Sequence, residues 1–196
     1  MAQILPKHMY IILTIFAFSL FIEGESTEFA TSLPPKSLHL KHEKLTHLHF
    51  YWHEIITGAN QTKVTVAQAP PSNTTKIFFG AISVLDDALR VGHGENSTIV
   101  GRAQGMYAAS DDTTYSILMA LTFKFTEGIY NGSTLSILGR NQISLPVREV
   151  PIVGGTGVFR FARGYTNIKT YKFISEVIAI MEMNLYVYHY GDSEKY

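Results

Sequence analysis

Near the C-terminus the side chains alternate with a period of two: Met181, Met183, Leu185 and Val187 fall on one face, and Glu182, Asn184, Tyr186 and Tyr188 on the other. Successive side chains of an extended chain point to opposite faces, so this pattern predicts a half-buried β-strand. Outside an apolar run at the N-terminus, no helix periodicity of any length occurs. From Thr46 onward, strand-like segments are separated by turn signals, at 46–57, 63–69, 76–85, 98–110, 115–126, 133–139, 147–153, 158–173 and 176–190. About eight strands at this spacing predict an all-β fold, an antiparallel barrel or sandwich. Closure is favoured because it removes exposed strand edges. The expected fold is an eight-stranded antiparallel β-barrel over residues 45–192.

Composition fits one packed domain. Of 196 residues, 46% are hydrophobic and 16% charged, which argues against disorder. Sixteen basic and sixteen acidic residues cancel, so no basic stripe exists to release counterions from nucleic acid. Aromatic residues make up 12%, enough ring area for a packed β core or a pocket for flat ligands.

The N-terminus reads as a processing signal. Lys7 and His8 precede an apolar run from Met9 to Ile22, followed by Glu23, Gly24, Glu25 and Ser26. This is the pattern of a secretory signal peptide over residues 1–24, and the run is short of the roughly 20 residues that span a bilayer. Residues 25–44 are polar and Pro-containing and read as a flexible leader. Four of the seven Asn begin Asn-x-Ser/Thr sequons: Asn60, Asn73, Asn96 and Asn131. The expected product is a glycoprotein of the extracellular space (apoplast or cell wall), with no membrane partner. With no Cys, such a domain relies on its core rather than on disulfides.

Several residues are candidates for chemistry. On the first strand Leu48, Phe50, Trp52, Glu54 and Ile56 share one face, and His47, His49, Tyr51, His53 and Ile55 the other. A carboxyl among apolar neighbours inside a barrel has a raised pKa and suits a general acid or a ligand-binding group. The reversed orientation, with Glu54 solvated at a strand end, fits the pattern equally. His47, His49 and Glu54 have the spacing of a cupin metal site. Glu54 has the wrong strand parity for it, and a histidine-rich exposed face explains the same residues; no metal is expected. Gly154, Gly155 and Gly157 continue into neither a phosphate-loop nor a dinucleotide motif, so they read as a tight turn needing positive φ. Asp86-Asp87 and Asp111-Asp112 read as turn residues. Arg148, Arg160 and Arg163 flank the glycines, and any that points inward needs a carboxylate or phenolic partner.

Four blocks resemble the plant dirigent family: His49–Ile55 (HFYWHEI), Val100–Tyr107 (VGRAQGMY), Phe125–Leu135 (FTEGIYNGSTL) and Arg148–Gly164 (REVPIVGGTGVFRFARG). The resemblance covers residues 44–190. It implies an eight-stranded antiparallel barrel, usually oligomeric, with a pocket inside each barrel. Family members direct how phenoxy radicals or quinone methides join, while laccases or peroxidases perform the oxidation. On the motif match, Glu54 stands where the family usually has a pocket Asp, and Arg148 takes the place of its pocket Arg. The second pocket Asp of lignan-forming members falls at Asn141, which hydrogen-bonds but is no base.

By this resemblance Glu54 and Arg148 are the expected catalytic residues, and Asn141, Phe50, Trp52 and Tyr107 the expected substrate-binding ones. The expected function is stereoselective phenoxy radical coupling, for instance of two coniferyl alcohol radicals to an optically active lignan, without oxidative activity of its own. The alternative follows the cysteine-free branch, which includes pterocarpan-forming enzymes: a dehydratase that closes a ring through a quinone methide. No cofactor is expected. The expected partners are a small phenol, a radical-supplying oxidase or peroxidase, and further copies of this chain (dimer or trimer).

Overall fold

The computed structural model describes residues 29–38, 40, 42–69, 78–174 and 177–190. The expected signal peptide, the sequon at Asn73 and the start of the strand expected from 76 lie outside them. Two units divide the chain, residues 1–39 and 40–196. Within the first, the described residues carry one 3₁₀ turn, Pro35–Leu38, closed by Ser37 Oγ donating to Pro34 O at 2.8 Å.

Among the described residues of the second unit nine strands follow one another: β1 Lys44–Ile55, β2 Lys63–Ala67, β3 Ile82–Arg90, β4 Ile99–Ala109, β5 Ser116–Phe125, β6 Thr134–Gln142, β7 Arg148–Thr156, β8 Arg163–Ile174 and β9 Ile178–His189. They pair antiparallel in the order β1-β9-β8-β7-β6-β5-β4-β3-β2, and β1 also pairs with β3. That last pairing closes eight strands into a barrel, as the alternating sequence predicts, and leaves β2 as a flap beside the first half of β3. The closing seam is short. Only Tyr51–His53 of β1 face Ala88–Arg90 of β3, whereas β1 pairs with β9 along all twelve residues. Where β1 and β3 diverge, Thr62 bridges them: its N–H donates to Ile55 O and its C=O accepts from Asp86 N–H, both at 2.9 Å.

Alternation selects the core. Met181, Met183, Leu185 and Val187 are buried, as are Phe50, Leu89, Phe123, Leu135, Ile137, Val150 and Phe159. Burying a side chain of this size stabilises by about 1.5–3 kcal/mol relative to exposure. Edge-on ring contacts of Phe50 with Phe123 and Phe125, at 5.6 and 6.1 Å between centroids, fill the middle of the barrel.

Three segments differ from the sequence reading. β7 continues through Gly154 and Gly155 to Thr156, and the strand expected from 158 begins at Arg163 after a 3₁₀ turn, Gly157–Phe159. Of the three glycines only Gly157 has positive φ (+62°). Gly155 is needed for close approach, since a Cβ there would lie 2.5 Å from Thr134 O. β6 runs to Gln142, held by its ladder to Ser116, which puts Asn141 in the barrel wall. Asp86 and Asp87 form no turn: they lie inside β3, where Ser83, Leu85, Asp87 and Leu89 make up its buried face. Asp111, by contrast, does shape a turn, accepting from Thr113 N–H at 3.0 Å and Thr114 N–H at 2.8 Å.

Candidate functional site

In an antiparallel ring, alternate strands end at the same rim. The C-terminal ends of β1, β4, β6 and β8 therefore share one rim with the N-terminal ends of β3, β5, β7 and β9. Glu54, Tyr107 and Asn141 sit near the first set of ends, and Arg148 opens β7. Four of the six predicted site residues thus come to one end of the barrel. Phe50 lies deeper, in the ring cluster.

Glu54 lies on the buried face, 7% exposed, which decides between the two orientations its pattern allowed. Its Oε1 accepts the Tyr107 hydroxyl at 2.9 Å. Burial pushes the Glu54 carboxyl above its usual range, opposed by the Tyr107 hydrogen bond and the Lys63 charge. The Tyr107 phenol is raised in turn, first by burial and then by the Glu54 charge. Lys63, on the β2 flap, holds its ammonium 5.6 Å from the Tyr107 ring centroid.

Asn141 and Arg148 form the second polar pair. Arg148 Nε donates to Asn141 Oδ1 at 3.1 Å, and Asn141 Nδ2 reaches Met119 Sδ at 3.1 Å. Arg148 is 4% exposed, and burial depresses its pKa. Its other hydrogen bond among the described residues goes to Leu145 O at 3.4 Å, so the guanidinium faces neutral acceptors. A buried cation so placed suits an anionic or phenolic oxygen.

Trp52 is fully enclosed, and its indole N–H donates to Asp87 Oδ2 at 2.6 Å. Thr62 Oγ1 donates to the other oxygen, Asp87 Oδ1. Asp87 is wholly buried, and its carboxyl is pushed up to about 7, chiefly by burial and further by the charge of Glu54. Reading Asp86-Asp87 as a turn missed this residue. The signal was present in the sequence, because Asp87 shares strand parity with Leu85 and Leu89.

The histidines of β1 do other work. His47 stacks on Tyr186 at 4.7 Å and bonds Asn184 Oδ1, while His49 bonds Glu182 Oε1, each at 3.0 Å. Both lie on the outer face and Glu54 on the inner one, so the three do not converge on a metal. Arg160 and Arg163 are both exposed; Arg163 pairs with Glu43.

A closed eight-stranded barrel with these residues at one rim narrows the choice of family, and residues 45–188 match the family model described as Dirigent-like protein. The chain belongs to the dirigent family. Dirigent protein 1 of Arabidopsis thaliana is 42% identical over 185 residues, covering 94% of this chain and all of that protein. Pterocarpan synthase 1 of Glycyrrhiza echinata is 45% identical over 161 residues, covering 81% of this chain and 86% of that protein. A solved structure of a pterocarpan synthase dirigent protein superposes with a TM-score of 0.75 at 44% identity, covering 82% of this chain and 99% of its own. The dirigent fold expected from the four blocks is therefore the fold present.

Proposed function

We propose that this dirigent chain holds phenols at the Glu54–Arg148 rim and imparts stereoselectivity on the coupling of two phenoxy radicals, as in the joining of two coniferyl alcohol radicals to an optically active lignan. A separate laccase or peroxidase supplies the radicals. The observation that carries this reading is the placement of two buried polar pairs, Tyr107–Glu54 and Asn141–Arg148, at one end of the barrel, beside an apolar ring cluster. Each radical gives one electron to the new bond, so coupling itself consumes no oxidant. On this reading the barrel contributes orientation, and Glu54 and Arg148 hold phenolic oxygens and move a proton as a ring closes. In this reading Trp52 and Phe50 wall the apolar space. No cofactor is invoked.

A second reading has its own support. A carboxyl raised by burial, in a chain 45% identical to a pterocarpan synthase, suits a dehydratase. Glu54 would protonate a benzylic hydroxyl, and water would leave as the conjugated phenol gives up its proton to form a quinone methide. A second phenol would add to close the ring, its proton returning to Glu54 while the first phenol oxygen is reprotonated. Mixing the protein with coniferyl alcohol and a laccase tests the first reading: an enantiomeric excess supports it, and a racemate counts against it. Turnover of an isoflavanol with no oxidant present would favour the second.

The setting is proposed to be extracellular, which the N-terminal signal pattern supports. Asn60, Asn96 and Asn131 are exposed in loops, as acceptors of glycan must be. We also read the chain as a homo-oligomer (dimer or trimer). Val64, Val84, Met106, Ala120 and Leu138 lie directly opposite one another across β2 to β6. All five are exposed, giving an apolar row that a second copy would cover.

A further inference from the structure

Asp87 is the one fully buried acid among the described residues, and neither reading above uses it. The β1–β3 register pairs Tyr51 with Arg90, Trp52 with Leu89 and His53 with Ala88. Continued by one residue, it sets Glu54 across from Asp87 at the point where the strands diverge. Both side chains lie on the buried face. Three bonds converge on Asp87 and its neighbour Thr62: Trp52 N–H to Asp87 Oδ2 at 2.6 Å, the Thr62 hydroxyl to Asp87 Oδ1, and Ile55 N–H to Thr62 Oγ1 at 3.0 Å. Trp52, two residues before Glu54, and Ile55, the residue after it, are therefore both tied to Asp87, directly or through Thr62.

We propose that Asp87 is a positioning residue for Glu54: it fixes the end of β1 from which Glu54 projects, and the two carboxyls share one proton across the seam. Asp87 is sealed from solvent and touches no substrate, so it acts through Glu54. Two carboxyls on the same inner face, one register step beyond the seam, resist ionising together in a low-dielectric wall, and their titration belongs to the pair. The charged and titratable groups around the pair are Lys63 on β2, Tyr107 on β4 and Tyr115 just before β5, with Arg102 on the outer face of β4. When Glu54 takes a proton from a phenol the pair holds two, and when it gives one up to a departing or newly formed oxygen the pair returns to its single shared proton with no net change. This inference rests on the proposal that Glu54 moves protons; its test needs no substrate.

The test is a carboxyl titration of the purified protein by ¹³C NMR with labelled Asp and Glu. The wild type is expected to show two linked steps, the upper one near neutral pH. Glu54→Gln leaves the Trp52 and Thr62 bonds to Asp87 in place and is expected to lower the remaining Asp87 step by about 1 unit or more, a ~10-fold change in proton affinity. An Asp87 step that stays where it was in Glu54→Gln overturns the shared proton. Thr62→Val, close to isosteric, removes one donor from Asp87 and is expected to move the Glu54 step as well; an unmoved Glu54 step overturns the positioning role. Racemic product in the coupling assay with both titrations as expected would sink the radical-coupling reading and leave this one standing.

Discussion

Arg148 Nε donates to Asn141 Oδ1 at 3.1 Å inside the barrel wall, so a buried guanidinium rests on a neutral amide. Asn141→Asp would convert the contact to a charge-assisted bond, which is worth about twice a neutral one. Desolvation of the new carboxylate offsets part of that gain. The expected result is a Tm higher by about 2–4 °C, corresponding to ~1 kcal/mol in a domain of this size, measured by thermal denaturation at neutral pH. A lower Tm would mean that the guanidinium is already satisfied as it stands.

His189 gives stability a pH dependence at the opposite rim. Its Nδ1 donates to Val158 O at 3.1 Å, its Nε2 lies 2.9 Å from Thr46 Oγ1, and the side chain is wholly enclosed. Burial, ahead of the other contributions, holds its pKa below 6.5. Below pH ~6.5 the unfolded chain binds a proton that the folded chain refuses, so this contribution is present above that pH and lost as pH falls through the folded value. Asp87, raised to about 7, contributes with the opposite sign, its share being lost as pH rises from about 4 to 7. Comparing wild type with His189→Gln isolates the histidine. Between pH 7 and 5 the wild type is expected to lose more Tm than the variant, and parallel curves would contradict the assignment.

Met106, 50% exposed, sits at the centre of the apolar row from Val64 to Leu138. Met106→Glu places a charge in any contact that the row makes while leaving the buried face of β4 untouched. The wild type is expected to run as an oligomer by light scattering, and the variant to fall to the mass of one chain. An unchanged mass would remove this row from the interface.

Period-two alternation made the barrel legible in the sequence, because β9 and β1 are half-buried strands that separate polar from apolar side chains residue by residue. The same parity placed Glu54 on the inner face without fixing which face was inner. It took burial of Phe50 and Trp52 together with Glu54 to settle that. Asp87 escaped because adjacent aspartates read as a turn by composition, which outweighed its parity with Leu85 and Leu89; the β3 ladder to β4 shows that the strand runs through them. Gly154 and Gly155 misled for a related reason: glycine marks both turns and close approaches, and Gly155 is of the second kind. The meeting of Asn141 with Arg148 depends on β6 running three residues beyond its expected end, which the β5 ladder determines and no local pattern records.

The role proposed for Glu54 is to steer bond formation at the rim it shares with Arg148. The most direct measurement is the chirality of the coupling product from coniferyl alcohol and a laccase, with wild type and Glu54→Gln run side by side. The expected result is an enantiomeric excess with wild type and a near-racemic product at equal total yield with Glu54→Gln, since the oxidant is separate. An excess that is the same for both proteins would contradict it.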